Sequence, residues 1–220
     1  MTADRLEATP VGEALPEKAS SFNKEAFFEK GLSYEDYITS WEQHTGQSLK
    51  GLDKKARKYL FYAKYNMERA GRVIDEFQMS EELASLVDGI DTPQYWMVLT
   101  EDWCVDSAYA LPIISNAASR NPHINMRILL RDDNLDIMDQ YLTDGGRGIP
   151  KLVAFSADGK ELFQWGPRPQ ALKLKRKDWK EEGVEGAMLS QKGAEWYDAG
   201  GWQQVETELI NTIANSEVLL

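Results

Sequence analysis

An α/β fold, with a mixed central sheet flanked by helices and preceded by a helical N-terminal segment, follows from three features of this 220-residue chain. Up to about residue 90 the apolar residues recur at helical spacing alone. Beyond it, short apolar runs of strand type alternate with helical stretches. Late in the chain an Asp-Gly turn joins two such runs, which makes part of the sheet antiparallel.

In order, residues 1–20 read as a mobile leader: they are polar and acidic, with Pro10 and Pro16, and lack the charged-then-apolar pattern of a secretory signal. Helices are predicted over residues 22–30, 33–45, 52–74 and 80–87. In the longest, Leu52, Ala56, Tyr59, Leu60, Ala63, Met67 and Ala70 fall on one face. Ser33 and Ser80 are N-cap residues, each followed by acids in the first turn. Gly89 and Pro93 then punctuate the chain, so the main boundary is placed near residue 90, separating a helical extension (21–90) from an α/β domain (91–220).

Tyr95–Leu99 is a short apolar run of buried-strand type, followed by a helix over 104–120 and a second strand, Ile124–Leu130. A helix over 133–142 and the loop Gly145-Gly146-Arg147-Gly148 lead to strands at 151–155 and 161–165, joined by the Asp158-Gly159 turn. Helices over 169–181 and 203–214 complete the reading. The crossover helices make the first two strands parallel, and the turn makes the last two antiparallel.

Composition excludes several classes of function. A net charge of -11 argues against a general binder of nucleic acid or of anionic membranes. No run approaches the roughly 18 apolar residues of a membrane helix. The single cysteine cannot close an intramolecular disulfide or build a cysteine-rich zinc site, and the cytoplasm is the default compartment. His44 and His123 lack metal-ligand spacing with each other or with the cysteine and read as surface or loop residues, so no metal site is expected.

That cysteine, Cys104, stands where a strand gives way to a helix, in Thr100-Glu101-Asp102-Trp103-Cys104-Val105-Asp106-Ser107. The positive end of a helix dipole and its unpaired N–H groups favour a thiolate, whereas the Asp106 charge disfavours it. The sign of the net shift depends on their balance in the fold. Ser107 can donate a hydrogen bond to the sulfur. Glu101 and Asp102 are placed toward solvent.

From about residue 90 the chain resembles the thioredoxin-like family. The likeness rests on Trp103-Cys104 with Cys104-Val105-Asp106-Ser107 as a C-x-x-S motif, Pro112 in the first helix, Ile149-Pro150 before the hairpin strand, and the element order. It implies a cis bond before Pro150, an Ile149 backbone beside the Cys104 sulfur that binds an extended substrate, and Trp103 flanking that sulfur. Proline at the opening of a strand is tolerated, and a cis bond before it costs little.

Two departures from the family pattern matter. Ser107 replaces the resolving cysteine, so a mixed disulfide on Cys104 needs an external thiol for release. Val98 stands where thioredoxins carry a buried acid. The expected function is thiol-disulfide exchange by Cys104 and Ser107, with Trp103, Ile149 and Pro150 binding a protein disulfide or small-thiol substrate and with no cofactor. A redox-inactive binding or scaffold protein of the same fold is the alternative. A glutaredoxin-like glutathione and iron–sulfur protein is less well matched, because Gly145-Gly146 precedes Pro150 instead of following it. The basic cluster Lys173, Lys175, Arg176, Lys177 and Lys180 reads as a solvated helix face.

Overall fold

The computed structural model describes residues 22–216; the expected leader lies outside them. Helices α1 (Lys24–Lys30), α2 (Tyr34–Thr45), α3 (Lys54–Glu76) and α4 (Glu81–Asp88) come first. Strand β1 (Gln94–Thr100), α5 (Val105–Arg120), β2 (Ile124–Leu130) and α6 (Leu135–Met138) follow, then β3 (Lys151–Ser156) and β4 (Glu161–Trp165). Helices α7 (Gln170–Glu181), α8 (Gly186–Trp196) and α9 (Gln203–Ala214) close the described chain, with a π-helical turn at Tyr197–Gly201. Local chemistry sets the helix starts: Ser33, Asp53 and Ser80 each accept a backbone N–H three residues on, at 3.0, 2.8 and 3.2 Å. Each such cap stabilises its helix by about 1 kcal/mol.

The fold is α/β, a four-stranded mixed sheet flanked by helices, in the order β2-β1-β3-β4. β1 pairs parallel with β2 and antiparallel with β3, so Val98 lies between Ile128 and Leu152. Period-two alternation sorts the side chains of β1 onto two faces. Trp96 and Val98 face a core shared with Ala63 of α3, Leu83 of α4, Ile113 of α5 and Leu209 of α9. Tyr95, Met97 and Leu99 face a second core containing Phe27 of α1, Met138 of α6, Cys104 and Ile149.

The N-terminal helices share the first core with the sheet. Trp41 of α2 is buried and donates Nε1–H to the Ala63 carbonyl of α3 at 3.0 Å, which satisfies the polar edge of a core aromatic. Leu32 exchanges two backbone hydrogen bonds of 2.8 Å with Ile128, so the segment before α2 covers part of the β2 edge. Among the described residues no helix is long and apolar enough to cross a membrane.

Two segments differ from the sequence reading. The helix expected over residues 133–142 is the single turn α6. Gln140 and Tyr141 then continue with i→i+3 hydrogen bonds of 3.1 and 3.0 Å, so Leu135, Met138 and Tyr141 keep their three-residue spacing on tightened turns. Helix α8 was not expected, because Gly186 and Gly193 lower its intrinsic propensity. Tertiary contacts hold it: Leu189, Gly193 and Ala194 are buried, and the Leu189 carbonyl accepts from the Arg176 guanidinium at 2.9 Å. Gly193 gives the Arg176 guanidinium room, since a Cβ there would lie 3.1 Å from Arg176 Nη1.

Candidate functional site

Strand β1 ends at Thr100, a turn closed by Cys104 N–H donating to Glu101 O at 3.1 Å follows, and α5 begins. Cys104 is the N-cap residue of α5, and its side chain caps nothing. The sulfur turns toward the loop before β3, where its S–H donates to the Ile149 carbonyl at 3.3 Å. The Ile149-Pro150 peptide bond is cis, as is Gly166-Pro167. Gly166, at φ 111°, allows the two loops to meet, because a Cβ on it would overlap the Pro150 carbonyl oxygen.

Of the residues singled out in the sequence, Cys104, Ser107, Trp103, Ile149 and Pro150 all lie around this junction. Ser107 is buried on the first turn of α5, and its Oγ accepts from Thr100 Oγ1 at 2.6 Å, leaving its own proton for the sulfur. Trp103 is partly buried and packs against the second core, which contains Cys104; its ring stacks on Tyr59 of α3 at 4.6 Å and carries the Arg131 guanidinium 4.9 Å above it. Val98 lies in the first core and is fully buried.

The structure resolves the opposed influences on the thiol. Burial, then the charge of Asp106, push the Cys104 thiol up to about 11; hydrogen bonds from the Ser107 hydroxyl and N–H, and more weakly the Arg168 charge, pull the other way. Desolvation outweighs the helix terminus here because Cys104 is only 8% exposed and its thiol proton is engaged by Ile149. The rate of iodoacetamide alkylation of the folded protein is therefore expected to keep rising beyond pH 10. A plateau below pH 9 would contradict this environment.

Asp106 is 4% exposed. Its Oδ2 accepts from Arg168 Nε and Nη2 at 3.1 and 2.7 Å, and its Oδ1 from the Tyr197 hydroxyl at 3.0 Å. A carboxylate so far from water needs such partners. Sequence reasoning missed Arg168 and Tyr197, 62 and 91 residues from Asp106. The one local signal was Pro167-Arg168-Pro169, where two prolines fix the backbone of a single arginine.

The acids before Cys104 also depart from the expected solvent-facing placement. Asp102 pairs with His44 Nδ1 at 2.5 Å, and Asn66 Nδ2 donates to its carbonyl at 3.0 Å, so helices α2 and α3 grip the turn. Burial raises the Asp102 pKa. His44, read as a surface or loop residue, is a half-buried partner at the end of α2. Glu101 is 9% exposed and accepts the Asp132 N–H at 2.8 Å. Burial first, then the charges of Asp132 and Asp102, raise it from 4.5 to about 7, against the Asp132 N–H bond and Arg131.

The folded protein thus holds the Glu101 proton more tightly than the unfolded chain does. Its contribution to stability is complete below pH 4.5 and lost as pH rises through about 7. Glu101→Gln preserves the acceptor for Asp132 and removes the charge. The variant is expected to gain on the order of 2 kcal/mol over the parent between pH 4 and pH 8. Urea unfolding at the two pH values measures this, and an unchanged difference would refute it.

Two hollows meet at Trp103 and Tyr59, which line both. One, of about 460 Å³, includes His44, Glu101 and Asp102. The other, of about 810 Å³, lies between α3 and α8 and has the buried Cys104 and Ile149 in its lining. Arg176 of α7 also enters it, whereas Lys173 and Lys177 of the same basic cluster form exposed pairs with Asp144 and Glu181.

Comparison with known proteins adds the family. The sequence model of the Thioredoxin family matches residues 53–180, from the N-cap of α3 to the last turn of α7. No curated protein matches the chain. An HIV epitope-scaffold crystal structure is similar in fold, with a TM-score of 0.53 at 16% identity over 88% of this chain and 98% of that one. A protein of unknown function from Pseudomonas aeruginosa gives 0.45 at 17% identity, covering 83% of this chain and 97% of its own. A mutant thioredoxin from Halobacterium salinarum gives 0.30 at 23% identity, covering 50% of this chain and 89% of its own. Because the family match takes in more than half of the sequence and is centred on the strand–Cys104–helix unit, the chain belongs to the thioredoxin family.

Proposed function

We propose that the protein carries out thiol-disulfide exchange through Cys104 alone, in a reducing compartment such as the cytoplasm. The observation that supports this best is the position of the sulfur. It lies at the N-terminus of α5, 3.3 Å from the carbonyl of Ile149, and lines an open cleft. The Cys104 thiolate attacks one sulfur of a substrate disulfide. A Cys104–substrate disulfide forms, and the other substrate sulfur leaves as a thiolate that takes up a proton. Ser107 has no sulfur with which to displace the bound half, so an external thiol attacks the mixed disulfide and regenerates Cys104. Trp103, Ile149 and Pro150 border the bound segment.

With the thiol at about 11, about one molecule in 10⁴ carries the thiolate at pH 7, so exchange by the free protein is slow and accelerates with pH. Release of the bound half should depend linearly on the concentration of added thiol. Ser107→Cys supplies the missing sulfur and should make release independent of external thiol. If the parent releases substrate at the same rate without any added thiol, the single-sulfur reading fails.

A second reading, a binding protein whose redox chemistry has lapsed, is favoured by the same raised thiol and by its S–H bond to Ile149. It predicts that Cys104→Ala keeps every partner of the parent under reducing conditions.

A further inference from the structure

The cleft over Cys104 has a charge opposite to that of the whole molecule. The chain carries a net charge of -11, yet Lys58, Arg69, Arg131, Arg147, Arg168 and Arg176 all line this hollow. Among the described lining residues Asp106 is the one acid, and Arg168 already neutralises it. Arg131 and Arg147 are paired with Asp132 and Asp139. Lys58, Arg69 and Arg176 have no carboxylate partner among the described residues. The Lys58 ammonium lies 5.5 Å from the Tyr62 ring, and the Arg69 guanidinium 6.0 Å from the Tyr65 ring, so aromatic faces present two of these charges along the cleft.

Arg176 is the most telling of the three. It is partly buried, and its Nη1 is engaged by the Leu189 carbonyl alone. Burial, then the like charge of Arg168, lower its pKa against the charge of Asp106, so an added anion beside this half-buried cation would be favoured.

We infer that this cleft binds an extended acidic segment of a partner protein, with its carboxylates on Arg69, Arg176 and Lys58 and its apolar side chains against the aromatic wall of α3. Shape favours a peptide over a small anion. Lys58 and Arg69 lie eleven residues apart on α3, about 16 Å along the helix, which an extended chain spans in about five residues. Phe61 and Tyr65 on the same wall are 55% and 47% exposed, more apolar surface than a small oxyanion covers. The small residues Gly186, Ala187, Ser190 and Ala194 of α8 leave room for a backbone on the opposite side. Recognition of this kind needs no sulfur and stands apart from the thiol chemistry.

The test uses the full chain carrying Cys104→Ala and a fluorescein-labelled peptide of about six residues, with three glutamates, one leucine and no cysteine. Its glutamine counterpart and inorganic phosphate are the controls. In anisotropy titrations at about 50 mM salt the glutamate peptide is expected to bind at least tenfold more tightly than the glutamine peptide. That margin should shrink severalfold at about 500 mM salt. Arg176→Gln and, on α3, Arg69→Gln should each weaken binding about fivefold or more without lowering Tm enough to unfold the protein at the assay temperature. Arg69 donates to Asn66 Oδ1 at 3.0 Å but supports no carbonyl of α8, so, with its fold checked by urea unfolding, Arg69→Gln decides the matter if Arg176→Gln fails to fold. Equal binding of the two peptides would overturn the inference. So would indifference to Arg69→Gln, or phosphate binding without peptide binding, which would assign a small-anion site.

Discussion

Replacing Cys104 by alanine is expected to abolish mixed-disulfide formation and to lower disulfide exchange at least about 100-fold, because the chain contains no other thiol. The loss should be chemical and not structural. Cys104 belongs to the second core and its S–H meets the Ile149 carbonyl, so removal of the sulfur costs about 1 kcal/mol by the scale of small buried truncations. Circular dichroism and urea unfolding of the variant establish the second point, and exchange with a model peptide disulfide establishes the first. Residual exchange at the parent rate would move the chemistry away from this site.

Arg168→Met is expected to have the largest effect on stability of any substitution around the site. It leaves Asp106 buried with the Tyr197 hydroxyl as its remaining partner. Removing one member of a buried ion pair costs about 3–5 kcal/mol, and the lower end applies because the Arg168 side chain is 24% exposed. For a chain of this size that corresponds to a fall in Tm of about 10 °C. The variant should also raise the Cys104 thiol further, since the Arg168 charge favours the thiolate. Asp106→Asn should lower it by removing the charge that opposes the thiolate. A double variant, Asp106→Asn with Arg168→Met, should recover much of the lost stability. If Arg168→Met unfolds at the parent urea concentration, the pair contributes nothing and the account of Asp106 is wrong.

Local signals carried most of the architecture. Ser33 and Ser80 cap the helices they precede. Tyr95–Leu99 lies inside a fully buried strand, and the Asp158-Gly159 turn joins the antiparallel pair β3 and β4. These features are legible because each depends on residues a few positions apart. Helix α8 was illegible for the converse reason: its glycines argue against a helix, and its support comes from Arg176 and from packing across the fold. Around the site, sequence pattern located Cys104 and the Ile149-Pro150 loop, which the fold brings within hydrogen-bonding distance.

The partners that set the chemistry were beyond its reach. His44, Arg168 and Tyr197 lie 58, 62 and 91 residues from the acids they meet, and no local spacing encodes such contacts. The sign of the thiol shift was illegible for the same reason. A helix N-terminus can be read from a sequence, but burial of the atom at its end is a property of the whole fold, and burial is what prevails at Cys104. The cationic cleft shows the same limit. Its side chains come from α3, the loops after β2, α6 and β4, and α7, and along the chain they are dispersed among the acids that make the whole molecule negative.

As a one-sulfur site in a cleft, Cys104 is proposed to hold a substrate covalently but to be unable to release it unaided. Intact-protein mass spectrometry after incubation with a peptide disulfide at pH 9, without any added thiol, tests it most directly. A stable one-to-one adduct on Cys104 is expected, and it should disappear when an external thiol is added. Absence of any adduct on the folded protein, together with ready adduct formation on the urea-unfolded chain, would contradict it and leave Cys104 as an inert core residue.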